Sequence, residues 1–244
     1  MPYVEEICKA GLTIEVSKYF TYRTHGKGVK RSPNTDKTPE AMKKCNQRRA
    51  GIRLRRLLNT NFEDGDYLIR LDFHKWKPID SIEMQSMIAT AIRRLKRTYQ
   101  KNGIPLKYVY VKEVGKRGSR HIHMVVNRSD TEIIRKWWEY GGIHIDPLNT
   151  QGQYGKIAEY FIKYANTTEE TEGKLIGKRW YASQNLKEPE IKHRIIKSNY
   201  FKANPKEIKG YYLDKSSVDY GISEETGYEH FTYTLIKPRS DDDS

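Results

Sequence analysis

The chain is short of cysteine, of acidic residues and of long apolar runs, and each shortage narrows what it can be. Its two cysteines, Cys8 and Cys45, stand far apart with no C-x-x-C spacing, so neither a disulfide framework nor a cysteine zinc site organises the fold. No apolar run approaches the roughly 20 residues a membrane helix needs. The opening "MPYVEEICKAGLTIEV" lacks the charged-then-apolar layout of a secretory signal. The expected setting is therefore a reducing cytoplasm with no membrane partner. No G-x-x-x-x-G-K-[ST] occurs, and "GKLIGKRW" fails the pattern, which excludes a P-loop motor. Acids are outnumbered: 31 Asp and Glu against 45 Lys and Arg leave a formal charge of +14. That charge attracts polyanions at long range and makes nucleic acid the first candidate partner.

What the chain does contain is enough length, 244 residues, for one domain with extensions or two small domains. "LTIEVSKYFTYRTH" (12–25) alternates as an N-terminal strand or extended arm, and "GKGVKRSPNTDKT" carries loop residues. "TPEAMKKCNQRRAGIRLRRLLNTNF" reads as a helix with Pro39 in its first turn, and it is crowded with Lys43, Lys44, Arg48, Arg49, Arg53, Arg55 and Arg56. Such a face is either solvated or a track for phosphates.

From residue 66 the order of elements becomes informative. "DYLIRLDFH" (66–74) alternates as a strand, and "DSIEMQSMIATAIRRLKRTYQKNG" (80–103) opens on a capping residue and keeps helical periodicity. "LKYVYVKEV" and "RHIHMVVN", joined by "GKRGS", form a hairpin; a short helix, a short strand "IHIDPL" and the helix "GQYGKIAEYFIKYAN" follow. This β-α-β-β-α-β order predicts an α+β fold of ferredoxin-like (RRM-like) type, with an antiparallel or mixed sheet, helices on one face and the other face open to a ligand. The expected organisation is an N-terminal arm and basic helix (1–65), a catalytic core (66–170), a C-terminal extension packed on it (171–237) and a loose acidic tail (238–244).

Within the hairpin, His121 and His123 fall on one face of their strand and Ile122 and Met124 on the other. Two imidazoles a strand step apart can converge on one ion. Glu113, on the preceding strand, faces His121 if the intervening loop holds an odd number of residues; an even loop turns it away. Two imidazoles and one carboxylate leave coordination positions open, as a catalytic site requires, and phosphate chemistry favours Mg²⁺ or Mn²⁺. On the first strand of this region Arg70, Asp72 and His74 share one face, either as a solvated surface or, beside the histidine strand, with Asp72 or His74 supporting a metal ligand. A histidine-triad nucleotide hydrolase is set aside because Val125 stands where a third histidine is needed.

On the helix "AEYFIKYA", Tyr160, Lys163 and Tyr164 lie on one side with Lys156, while Ala158, Phe161, Ile162 and Ala165 gather on the other. The apolar stripe thus buries without either tyrosine, and a polar stripe of Tyr and Lys at helical spacing just downstream of a possible metal site points to a tyrosine nucleophile. A free tyrosine titrates near 10, so about a thousandth is phenolate at neutral pH. Attack on a phosphodiester then needs a cation at the phosphate and a lysine against developing charge. The products are a 5′-phosphotyrosine and a free 3′-OH, and the stored bond energy permits resealing without ATP.

"RHIHMVV" resembles the H-hydrophobic-H motif of the HUH endonucleases, and "EYFIKYA" is similar to their Y-x-x-K motif. Histidines before tyrosine is the arrangement of the rolling-circle replication initiators of phages, plasmids and integrated elements. "KRWYASQNL" (178–186) also looks like a stretch of phage-type initiators. The resemblance spans about residues 66 to 166. It implies nicking of single-stranded or hairpin origin DNA with a divalent cation: Tyr160 as nucleophile, His121, His123 and Glu113 as ligands, Lys163 as helper. Tyr164 matches a two-tyrosine variant, but Thr167 stands where its second lysine is expected; Arg70 and Asp72 stand where threonines are common. Lys43, Lys44, Arg48, Arg49, Arg53, Arg56, Arg70, Lys116, Arg117 and Arg120 are the expected DNA contacts. With no motor in the chain, a host helicase and a host DNA polymerase are implied partners, in the cytoplasm of a bacterial host. A transposase or mobilisation relaxase would use the same chemistry, and a noncatalytic single-stranded nucleic-acid binder would use the same sheet.

Overall fold

Alternation, capping and turn chemistry lay down ten strands and four helices among the residues that the computed structural model describes, 3–21, 38–74, 79–150, 152–173, 177–223 and 226–238. In chain order these are β1 (Tyr3–Ala10), β2 (Thr13–Phe20), α1 (Pro39–Asn61), β3 (Tyr67–Asp72), α2 (Ser81–Lys101), β4 (Tyr108–Val114) and β5 (Arg120–Val126). Then come α3 (Thr131–Trp137), β6 (Ile143–Pro147), α4 (Gly155–Glu172), β7 (Tyr181–Ala182), β8 (Glu190–Ile196), β9 (Tyr212–Ile222) and β10 (Glu229–Ile236). The chain is α+β, with two antiparallel five-stranded sheets, one in each of two compact units. The loop read at 26–38 and the acidic tail lie almost wholly outside the described residues.

The central unit takes in Gln47–Thr150 and Tyr154–Lys187. Its sheet runs β6-β3-β5-β4-β7, every neighbouring pair antiparallel. The period-2 alternation of the strands sorts their side chains onto two faces. On one, Ile69, Leu71, Tyr110, Ile122, Met124 and Val126 pack against Met84, Ile88, Leu95 and Tyr99 of α2 and Ile134 and Trp137 of α3. α2 starts where Asp80 accepts from the N–H groups of Ile82 and Glu83 at 2.8 and 2.7 Å, satisfying two donors that a helix start leaves open.

The other face is not the open surface that the sequence reading expects. Val109, Val111 and Val125 there are covered by Leu54, Leu57 and Leu58 of α1 and by Ile157, Ala158, Phe161, Ile162 and Ala165 of α4. The physical reason is that these valines, buried to 1 % exposure or less, are too apolar to stand in water, and both helices carry a stripe that needs cover. Helices therefore lie on both faces, and what stays accessible is the polar end of the second face, beyond the valines.

The terminal unit has the sheet order β8-β1-β2-β10-β9. The residues expected as an N-terminal arm supply β1 and β2, and those expected as a C-terminal extension supply β8, β9 and β10 of the same sheet. Its core is Ile14, Val16, Phe231, Tyr233 and Leu235, with Phe201 and Tyr211 packed on it. Among the described residues no helix is long and apolar enough to cross a membrane.

Candidate active site

The turn between β4 and β5 covers residues 115–119, an odd count, closed by Gly115 N–H donating to Ser119 O at 2.8 Å and by Gly118 at φ 78°, a left-handed conformation that suits glycine. Its consequence is register. Glu113 stands opposite His121, and His121 opposite Asp72, so one row across three strands reads Glu113–His121–Asp72. The next row reads Val111–His123–Arg70–His144. Antiparallel partners share a face, so both histidines, both carboxylates, Arg70 and His144 point to one side.

Each of the two histidines is tied to its own carboxylate. His121 Nδ1 donates to Asp72 Oδ1 at 2.7 Å, and His123 Nε2 donates to Glu113 Oε2 at 2.7 Å. Asp72 also meets Arg70 Nε at 3.2 Å and His144 Nε2 at 3.9 Å. Burial pushes the Asp72 carboxyl up, but the His121 hydrogen bond and the Arg70 charge outweigh it and hold the group below its ordinary range. Asp72 is thus a fixed anion behind His121.

α4 brings the tyrosines over this floor. Its apolar stripe is buried on the valines, so the opposite side carries Lys163, exposed, and Tyr160, 55 % exposed. Tyr164, half-buried, stacks on His123 with centroids 3.8 Å apart and planes 12° apart, and Tyr160 follows at 6.3 Å and 22°. Burial, with the nearby Glu113 and Tyr160, pushes the Tyr164 phenol up. The helix is pinned at both ends: Tyr154 N–H donates to Asn59 Oδ1 at 2.9 Å, and Thr168 Oγ1 accepts from Val114 N–H at 2.9 Å, next to Glu113.

The expected site residues thus divide. His121, His123, Glu113, Asp72, Tyr160, Lys163 and Tyr164 come together on one face. His74 lies past the end of β3 and lines a cleft with Phe73, Ile79, Glu83, Met87 and Tyr140. Among the expected DNA contacts, Lys43, Lys44, Arg48, Arg49, Arg53, Lys116 and Arg117 are exposed. Two expectations are corrected. Arg56 is buried in the second half of α1, which takes its side chain out of the exposed basic track. Arg120 donates to Glu172 Oε1 at 2.8 Å, to Ser81 Oγ at 2.8 Å and to Ile79 O at 2.7 Å, which makes it a clasp between α2, β5 and α4. His144 and Thr168 were not foreseen. A sequence pattern gives no sign that β6 lies beside β3, and a threonine deep in a helix is usually read as propensity noise.

Among the described residues no three or more His, Cys, Asp or Glu side chains are gathered in an arrangement that could hold an ion. Two imidazoles and a carboxylate are nonetheless the donor types that a divalent cation takes. Glu113 and His121 face each other across the ladder, His123 is one strand step away on the same face, and Asp72 occupies His121 Nδ1, so Nε2 is the nitrogen of that ring left for a ligand. Glu113 is engaged by His123.

The family model described as "Replication-associated protein ORF2/G2P" matches residues 66–169, the stretch that carries both rows of the sheet and both tyrosines. No curated protein and no solved structure matches the chain.

Proposed function

We propose that the chain is an HUH-type endonuclease of the rolling-circle replication-initiator kind, which nicks and rejoins single-stranded or hairpin origin DNA through Tyr160. The observation that carries this reading is the placement of two stacked α4 tyrosines over a histidine–carboxylate row, within a region that matches a replication-associated family. The unit's strand order, with β6, β3, β5 and β4 as fourth, first, third and second of the β-α-β-β-α-β series, supports a ferredoxin-like reading of the core.

Tyr160 is the better nucleophile of the pair because it is the more exposed, whereas burial holds Tyr164 as a phenol stacked on His123. Tyr160 Oη attacks phosphorus, a tyrosyl–phosphate bond forms, and the bond from phosphorus to the 3′ oxygen breaks. The tyrosyl proton leaves and the 3′ oxygen is protonated to a free 3′-OH. Lys163, one turn along the same side, sets positive charge against the phosphate as negative charge builds on it. His121, His123 and Glu113 would hold Mg²⁺ or Mn²⁺, whose chemistry there is to draw charge from a non-bridging phosphate oxygen. Asp72 keeps His121 in the tautomer and orientation that this requires. Exposed Lys43, Lys44, Arg48, Arg49 and Arg53 of α1, Arg70, and Lys116 and Arg117 of the hairpin turn supply phosphate contacts.

The test is a labelled set of single strands tiled across the DNA element that encodes the protein, incubated with Mn²⁺ and resolved under denaturing conditions. A covalent adduct is expected, lost on EDTA treatment and lost in Tyr160→Phe. An adduct that survives Tyr160→Phe and disappears in Tyr164→Phe would overturn the choice of nucleophile. DNA binding with no adduct under any divalent ion would favour a noncatalytic binder. The position of the nick, at a replication origin or at the end or transfer origin of an element, separates an initiator from a transposase or relaxase.

A further inference from the structure

The terminal unit concentrates positive charge in a place that the nicking chemistry does not use. We propose that residues 197–209, which are held over one face of its sheet, form a second nucleic-acid surface, one that holds single-stranded DNA through its phosphates and one stacked base. This rests on the reading that the chain acts on DNA.

The charge begins in the sheet. Register sets Glu5 opposite Lys18 on β2 and opposite Arg194 on β8, so three charged side chains share one row. Glu5 is buried and accepts Arg194 at 2.8 Å. Lys18, also buried, donates through Nζ to Lys202 O at 2.8 Å and lies over the Phe201 and Phe231 rings at 5.8 and 5.6 Å. Burial pushes the Lys18 ammonium down; Glu5 opposes that, and Lys206 and Arg194 are near enough to add to it. Lys18, Arg194 and Lys206 therefore share one neighbourhood with Glu5, which Arg194 already engages. Such crowding of like charge works against folding and becomes favourable when a polyanion arrives.

The segment above the row extends this pattern. "KSNYFKANPKEIK" (197–209) has irregular backbone, and its four lysines, Lys197, Lys202, Lys206 and Lys209, are all exposed, with Glu207 its one acid. Its backbone is nonetheless held: Phe201 packs on Tyr3 with centroids 4.9 Å apart, Lys202 O accepts from Lys18, and Lys206 N–H donates to the Tyr233 hydroxyl at 3.2 Å. The lysine side chains are left to solvent while their main chain is fixed. Next to the Phe201 anchor stands Tyr200, 72 % exposed. A flat ring presented to water among lysines is the stacking platform that single strands use. A duplex stem, whose bases are already stacked, would have no use for it. A membrane surface calls for an amphipathic helix, which this segment is not.

The experiment uses the full chain carrying Tyr160→Phe, so that no strand is cut, and a labelled single strand of about 30 nucleotides followed by anisotropy across a salt series. Each phosphate contact to a single strand contributes about 0.7 to the slope of log K against log salt. Lys202→Ala with Lys206→Ala should therefore flatten that slope by about 1.4. The ordering contacts of both residues are main-chain, so the fold is kept, as a melting curve checks. Tyr200→Ala should weaken binding by roughly 5- to 150-fold at fixed salt and leave the slope in place. Unchanged slope and affinity in both variants would overturn the surface, as would binding to anionic vesicles without binding to the oligonucleotide. A flattened slope, where the chain with Tyr160 intact forms no tyrosine adduct, would leave this surface standing and sink the nicking reading; an adduct in that chain with unchanged slopes would do the reverse.

Discussion

Asp72→Asn is the substitution that most directly probes how the sheet prepares its site. The side chain keeps its shape and can still accept from His121 Nδ1, but it loses the charge that now stands 2.7 Å from that nitrogen. Loss of such a supporting group typically weakens metal affinity by about 10- to 100-fold. The size of the effect can be read without any turnover. A cation at 100 times its dissociation constant stabilises a fold by about 2.7 kcal/mol, and weakening the site 10- or 100-fold reduces this to about 1.4 or 0.4 kcal/mol. The assay is thermal unfolding with and without Mn²⁺, compared with the Mn²⁺ needed for half-maximal adduct formation. A pH signature accompanies it. The folded Asp72 carboxyl titrates below its unfolded value, so below about pH 4 the unfolded state binds more protons. The stability from this group is present above that pH and is lost as pH falls through the folded pKa; in Asp72→Asn that part of the acid slope should vanish. If Asp72→Asn shows the parent's Mn²⁺-induced stabilisation and the parent's half-maximal Mn²⁺, the orienting role assigned to Asp72 is wrong.

Two further outcomes follow from the same geometry. Arg120→Ala removes one partner of an ion pair whose side chains are each 16 % exposed, which should cost about 3 kcal/mol of stability by calorimetry and leave the salt dependence of DNA binding as it was; a flattened salt slope with an unchanged melting point would make Arg120 a phosphate contact after all. Tyr164→Phe keeps the ring stacked on His123 and should form adduct at close to the parent rate. Tyr164→Ala removes the stack and should slow adduct formation by about 2- to 10-fold. Loss of a second cleavage in Tyr164→Phe, with the first intact, would instead mark Tyr164 as a second nucleophile.

The central unit was legible because its signals are local. Asp80 before an amphipathic run, the alternation of "YLIRLD" and "RHIHMVV", and the glycine-rich turn between Val114 and Arg120 each act within a few residues, and each appears where the pattern places it. The site was legible for a related reason: with strand parity and an odd turn, Glu113 had to face His121. What the sequence did not disclose is non-local. The pairing of β1 with β8 joins residues nearly two hundred positions apart, and no window of sequence contains it. The cover that α1 and α4 give to Val109, Val111 and Val125 is likewise a choice of tertiary partner, because an amphipathic stripe shows that a helix must bury a face and not which face of which sheet receives it. Arg56 and Arg120 were misplaced by the same gap: a basic residue looks solvated until its carboxylate or its hydrophobic neighbours are known.

The division of labour between the two tyrosines follows from the helix itself. Residues four apart on an α-helix differ by about 40° in direction and by about 6 Å along the axis. Because Phe161 and Ala165 fix which side of α4 meets the valines, that rotation and rise decide the surroundings of both phenols. Tyr164 is carried over His123 into stacking contact, where burial and Glu113 hold its proton. Tyr160, one turn earlier, is left more than half exposed. On the proposed reading a nucleophile must be accessible and a clamp must be packed, and one helix with one apolar stripe offers both surroundings at i and i+4. Moving either tyrosine by a single position would rotate it by about 100°, off the side of α4 that Tyr160 and Tyr164 now share, so the spacing Tyr-x-x-Lys-Tyr is tied to the packing of α4.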